Sequence, residues 1–405
     1  MEKASGSVAP DPAGEAGARR WVVLAVGLVA ITAGCAFQYG LPYLIPGLRA
    51  GGLSLERAGL LVACPTVGLL LTTVAWGAAA DRWGERLVLG AGLTLAGLAL
   101  LGGSVVRDPV ALGGCLVVAG AAGACVHAAS GRLILGWFAA PERGLAMGIR
   151  QTGQPLGVAL AALTLPPLSG TGPATALVFL GVLCVVAAGL VALLVTDPAR
   201  PRRGDGGADG SPYRTPLLWR VHGVSGLLVV PQFAVATFGL AYLVDERAWP
   251  PAAAGQVLAV AQVGGVLARL GTGLWSDRVG SRLRPLRLLA VVIAVVVAGL
   301  CLTMVAGWAL VVVVLVVAGA MVASPNGLAF TAVAEHAGPR WAGRALGIQN
   351  TVQNALASAT PPVLAAVIAV TGYGPAFAGV VVFPLVAALL VPVTQERSTA
   401  AAARG

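Results

Sequence analysis

Three arginines and one histidine stand where a chain this apolar has least reason to keep them: Arg132, Arg150, Arg269 and His127 all fall inside long hydrophobic runs. A guanidinium stays charged at physiological pH and presents a planar fork of donors that fits a carboxylate bidentately. An imidazole gains or loses a proton near neutrality. The chemistry on offer is anion binding and proton carriage. Catalysis is not indicated, because the sequence has no HExxH, no paired carboxylates inside an apolar run and no nucleophile with an evident base. The cysteines (Cys35, Cys64, Cys115, Cys125, Cys184, Cys301) lie in apolar stretches without metal-ligand spacing and read as small core residues, so neither metal nor cofactor is expected. A polytopic membrane enzyme is the weakest reading.

Spacing sharpens the cationic candidates. Gln262, Gly265, Val266 and Arg269 fall at i, i+3, i+4 and i+7, one face of a helix. Arg269 precedes Asp277 by two helical turns, about 12 Å along the axis, too deep to snorkel easily. Arg150 has Gln154 one turn further on its own face, whereas Arg132 lies close enough to Trp137 to reach the membrane surface. All 16 Asp and Glu lie in tails, loops or span ends. No carboxylate in a neighbouring span presents itself as a partner, and a buried arginine is costly unless paired, so an anionic solute is the natural counter-ion. The competing readings are structural: Arg269 bonded to backbone carbonyls or a loop acid, Arg150 paired with Glu142, His127 hydrogen-bonded in the core.

The elements that must position these residues follow from composition. The chain has 405 residues, 58% hydrophobic and 10% charged, against roughly a quarter charged in soluble proteins; it needs lipid as its solvent. At about 20 apolar residues per crossing, the sequence divides into spans near Trp21–Ile45, Ala58–Ala80, Leu87–Val106, Val110–Trp137, Leu145–Leu168 and Ala174–Val195, then Val221–Val244, Ala253–Trp275, Leu288–Ala306, Trp308–Ala334, Ala345–Val370 and Ala376–Val393. Residues 1–20 form a disordered tail, 21–195 a first six-helix bundle, 196–216 a Gly-, Pro- and Arg-rich linker, 217–394 a second bundle and 395–405 a second tail.

The net charge of +10 does not point to nucleic acid, because of where it sits. Of the 26 Lys and Arg, Arg49, Arg57, Arg107 and Arg247 fall on one side and Arg132, Arg150 and Arg269 within spans; all the others fall in the tails and the loops on the tails' side. This is the positive-inside pattern, and it places both termini in the cytoplasm of a multi-pass protein of the cell membrane.

The two halves repeat each other. GAAADRWGER from Gly77 answers GLWSDRVGSR from Gly273, FQYGLPYLI from Phe37 answers ATFGLAYLV from Ala236 (pairing Tyr43 with Tyr242), and GIRQTGQP from Gly148 answers GIQNTVQN from Gly347. Arg150 and Gln154 thus correspond to Gln349 and Gln353. A same-direction repeat with an even number of spans keeps both halves in one topology, a pattern frequent among transporters.

These residues resemble the major facilitator superfamily over essentially the whole chain. Gly77, Asp81, Arg82, Gly84 and Arg86 look like its signature loop, and Gly273, Asp277, Arg278, Gly280 and Arg282 repeat it. The resemblance implies an all-α membrane protein with twelve transmembrane helices in two pseudo-symmetric six-helix bundles, a monomer that carries a small solute by alternating access, with the signature loops as a latch. In such a latch Gly77 and Gly273 let helices approach, Gly84 and Gly280 form the turns, and Asp81 and Asp277 sit at the positive start of the next helix, paired with the arginines that follow.

Spans 3, 6, 9 and 12 are nearly all apolar and read as scaffold, so the polar residues Gln38, Tyr39, His127, Arg150, Gln154, Gln232, Thr237, Tyr242, Gln262, Arg269, Asn326, Gln349, Asn350, Gln353 and Asn354 are expected to line a central cavity. Arg269 lies four residues before the motif glycine, as in the monocarboxylate and oxalate exchanger branches, where the arginine holds a carboxylate. The expected cargo is an organic anion such as a monocarboxylate, with a co-transported proton as a further partner and the lipid bilayer as the solvent. Departures keep an alternative open, efflux of a drug or neutral metabolite. No counterpart of the helix-4 arginine motif of proton-coupled members lies between Leu116 and Cys125, Gly153, Pro155 and Gly157 give only part of the antiporter motif, and Thr73 stands where the repeat has Arg269.

Overall fold

A computed structural model describes residues 12–169, 172–198 and 211–396. The expected tails lie largely, and the linker mostly, outside the described residues. The rest is helical: α1 (Pro12–Gln38), α2 (Leu55–Trp83), α3 (Glu85–Val105), α4 (Pro109–Gly123 continued by Cys125–Trp137), α5 (Arg143–Gln151 continued by Gly153–Ser169) and α6 (Pro173–Leu194). The second half repeats them as α7 (Pro216–Asp245), α8 (Pro251–Val279), α9 (Leu283–Val305), α10 (Val311–Val322 continued by Pro325–Ala337), α11 (Ala342–Thr371) and α12 (Tyr373–Leu390). Among the described residues, 11 helices are long and apolar enough to cross a membrane. The twelfth expected span is α5, delivered in two pieces that meet at Thr152.

Local chemistry sets the helix starts. Ser54 Oγ accepts from Arg57 N at 3.3 Å to cap α2, and Asp108 Oδ2 accepts from Ala111 N at 2.8 Å to cap α4. The turns α2–α3 and α8–α9 need positive φ, 102° at Gly84 and 63° at Gly280, where a side chain would be strained.

Two apolar cores form, one from first-half residues such as Phe37, Leu93, Val126 and Leu180, the other from second-half residues such as Leu228, Ile293, Leu315 and Phe377 together with Leu24, Ile134, Phe138, Ala146 and Met147 of the first half. The apolar pairs α3–α6 and α9–α12 pack closely on the outside of each half. Their outward residues, Leu193 and Leu389 among them, are exposed, the face a lipid solvent requires. Between halves, α2 packs on α11 and the first segment of α5 on α8. Burial along α11 shows where they meet: Ala342 to Asn350 are almost all buried, whereas most residues beyond Asn354 are exposed. The contacts that join the halves gather at the end carrying the signature loops.

Candidate functional site: latch and central cavity

At the signature-loop end each signature aspartate reaches across to the other half. Asp81 accepts from the backbone N–H of Gly343 at 2.8 Å and Arg344 at 3.0 Å; Asp277 accepts from Gly144 and Leu145, both at 2.9 Å. The expectation of a carboxylate on the next helix is therefore corrected. The helix starts that hold them are those of α11 and α5 in the opposite half, where the dipole and free N–H groups favour an anion. Gly77 and Gly273 allow the approach, since a Cβ on either would overlap the backbone of Gly343 or Gly144.

Around this shared backbone plan the side chains differ. Arg282 donates to Asp277 at 2.6 Å, as its position suggested, and also to Glu335, Ser276 Oγ and the Ala140 carbonyl. Burial alone would weaken its hold on a proton, but Glu335 and Asp277 beside it more than offset this and keep its pKa above the ordinary value. Arg86 instead turns to the Ala192 carbonyl, and Asp81 is paired with Arg132 and Arg344 at 3.6 Å each. Arg132 also meets the fully buried Glu85 at 2.9 Å and the Ala80 carbonyl at 2.7 Å. The expectations that Arg132 snorkels and that no carboxylate serves the arginines within the spans are overturned for this residue. Glu85, at the start of α3, folds inward to meet it. Arg82 and Arg278 lie in the last turns of α2 and α8.

Further in, a small cavity of about 30 Å³ lies between the halves, room for a water or two. Of the residues expected there, Tyr39, His127, Gln154, Gln232, Asn326, Asn350, Gln353 and Asn354 line it, joined by Gln151 and Phe330. On the second-half side the amides form a relay: Gln353 Nε2 donates to Ser225 Oγ (2.6 Å) and Asn326 Oδ1 (3.2 Å), and Asn326 Nδ2 donates to Gln232 Oε1 (3.1 Å). Two bonds cross the cavity between halves, Tyr39 Oη to Asn354 Oδ1 (2.7 Å) and Asn350 Nδ2 to the His127 carbonyl (3.1 Å).

Arg150 and Arg269 stand one layer behind this wall. Arg150 donates to Ser130 Oγ (2.9 Å), Gln151 Oε1 (2.7 Å) and the His127 carbonyl (2.7 Å), and its guanidinium lies 5.3 Å from the Phe330 ring centre. Glu142 is taken by Arg20 at 2.6 Å and is not its partner. Arg269 donates to the carbonyls of Ala323 and Gln151, both at 3.1 Å, at the interruptions of α10 and α5 where helical bonding lapses. Both arginines thus converge on Gln151, and neither has a carboxylate partner among the described residues.

Gln38 is buried behind His127, Gln349 is held by His222 Nδ1 at 2.6 Å, Tyr242 packs on Tyr373, and Gln262 is exposed outside the cavity. Gln151, Glu85 and the pair His222–Tyr213 were not singled out from sequence. For Gln151 the signal was present in its adjacency to Arg150 within a repeated segment.

A helical bundle of two like halves, latched at one end around a polar interior, defines a membrane transporter. The profile of the Major Facilitator Superfamily matches residues 26–362, and the chain belongs to that family. It is 42% identical over 388 residues to an uncharacterized MFS-type transporter of Mycobacterium tuberculosis (strain ATCC 25618 / H37Rv), covering 95% of this chain and 86% of the relative. A counterpart from strain CDC 1551 / Oshkosh matches at the same identity and coverage. Among solved structures, FucP in the outward conformation aligns at TM-score 0.69 and 15% identity (92% of this chain, 97% of that one), and the human organic anion transporter MFSD10 at 0.66 and 15% (94% and 100%). At such identities the likeness is one of fold.

Proposed function

We propose that this transporter moves a small organic anion, such as a monocarboxylate, through the central cavity by alternating access. The observation that carries this reading is the pair Arg150 and Arg269, two buried guanidiniums converging on one cavity residue with no carboxylate among the described residues to balance them. Uncompensated charge deep in a membrane protein is costly, and an anion arriving at Gln151 offsets it. With only about 30 Å³ available now, solute enters when the halves part at the end away from the latch, and it leaves when the latch opens. The basic bias of the loops beside the latch supports a cytoplasmic position for that end and both termini in a cell-membrane protein. The cavity is complete within one chain, so a monomer suffices.

One observation favours a second reading, a neutral polar solute: every polar side chain on the cavity wall itself is an amide, phenol or imidazole. Counterflow in proteoliposomes separates the two, with lactate, pyruvate and benzoate as anionic probes and xylose as a neutral one. Arg150→Gln is expected to reduce anion counterflow at least about tenfold, the loss of one charged hydrogen-bonding group worth about 1.5–3 kcal/mol. Exchange of xylose but no anion would establish the second reading instead.

A further inference from the structure

His127 is held in one orientation. Its Nε2 lies 2.6 Å from Gln38 Oε1, an oxygen that only accepts, so Nε2 carries the hydrogen and Nδ1 presents a lone pair. Nδ1 has no protein partner among the described residues. It is also not one of the sealed, unpartnered atoms, as Gln38 Nε2 is, and His127 lines the cavity. Nδ1 therefore opens onto the space where solute binds. The other polar side chains on that wall are amides and the Tyr39 phenol, which already donates to Asn354. Imidazole is the wall's one group whose ordinary titration falls near neutrality.

The surroundings couple that nitrogen to an anion. From α5, Arg150 binds the His127 carbonyl; from α1 come Tyr39, edge-on at 6.1 Å, and Gln38, with Cys35 near both Tyr39 and Arg150; from α11 come Asn350 and Asn354; from α10 comes Phe330. Helices α2 and α3 bring Asp81 and Glu85 to α4, but at Arg132, more than a turn further along, where they are already paired. Arg150 is thus the charge His127 meets. A second positive charge beside it is unfavourable while the cavity is empty and becomes acceptable once an anion lies between them. The repeat places Gln349 opposite Arg150, so this pairing belongs to the first half alone.

Building on the anion reading above, we propose that His127 is the proton-binding group of the transport cycle. A proton from the aqueous side binds Nδ1 as the anion enters beside it, the two cross together, and both are released where the other end opens. By reciprocity, the proton tightens the anion by the same factor by which the anion tightens the proton.

The test uses the full chain in liposomes with labelled lactate, pyruvate and benzoate, and a pH-sensitive dye trapped inside. For the wild type, anion counterflow occurs, an inward proton gradient drives accumulation, and the lumen acidifies as anion enters. Affinity should rise up to about tenfold for each unit by which pH falls through the titration of the group. In His127→Gln, whatever flux remains is expected to lose both the pH response and the dye signal. Residual flux with the wild-type pH response overturns the proposal. So does wild-type counterflow that ignores the gradient, which leaves the anion reading standing. No anion counterflow at all overturns that reading and this proposal with it. Should His127→Gln fail to fold or leave flux too low to follow, Gln38→Met removes the acceptor on Nε2 and is expected to shift the pH of half-maximal accumulation; an unchanged profile overturns the proposal.

Discussion

The two signature loops share one backbone plan and two different charge plans. Both place a glycine against a glycine and a carboxylate on a helix start of the opposite half. In the second loop the stabilising cation, Arg282, comes from the loop itself and sits among Asp277, Glu335 and Ser276. In the first, Arg132 from α4 and Arg344 from the opposite half flank Asp81, and Arg132 must also serve Glu85, whose carboxylate is wholly buried. The repeated part of the motif is what closing the halves requires. The divergent part is each half's own way of keeping a buried carboxylate neutralised, and in the first half one residue, Arg132, serves two of them.

The largest effect should come from breaking that dependence. Arg132→Ala leaves Glu85 buried without its partner and is expected to lower stability by about 3–5 kcal/mol, measured as a fall in melting temperature in detergent. Adding Glu85→Leu should recover much of the loss, while no recovery would show that Arg132 acts mainly through Asp81. Next are the glycines. Gly77→Leu and Gly273→Leu drive a side chain into the opposite backbone, an overpacking penalty of about 1–3 kcal/mol or more, charged against the closed latch. Spin labels at the ends of α2 and α11, or of α5 and α8, should report widened distances in both variants. A smaller difference is expected between Asp81→Asn and Asp277→Asn. Each removes charge from a helix start worth about 0.3–1 kcal/mol, and Asp81→Asn should shift the labels more, because its pair with Arg344 joins the two halves, whereas the Arg282 that Asp277→Asn leaves behind lies in the same half and keeps Glu335. The smallest test concerns α9, whose start is capped by Glu396 through the N–H groups of Arg282 (2.8 Å) and Leu283 (3.2 Å). Glu396→Gln should cost about 1 kcal/mol or less, and only in the second half.

Much of this was legible in sequence because it depends on short-range patterns. Apolar run length gives the helices, the DRxG turns need glycine where φ is positive, and the repeat follows from counting. Candidate cavity residues were readable as a class, polar groups on otherwise apolar spans. Their sorting was not: Tyr39, His127, Gln154, Asn326 and Gln353 reach the cavity, while Arg150 and Arg269 stand behind it and Gln349 is turned to His222. Nothing in spacing says which face of a helix meets which neighbour. Glu85 shows the same limit, because a carboxylate at a span end reads as solvated until α4 is known to bring Arg132 to it.

Sequence by itself therefore determined that this chain crosses a membrane many times, that its halves repeat, and that unusual cations lie within its spans, because burying apolar surface and satisfying the backbone are local demands on each segment. Only the tertiary structure decided which charges are spent on closing the latch and which remain beside the cavity. A guanidinium's role is fixed by the groups within a few ångströms of it, and across a helix bundle these come from residues far away in the chain.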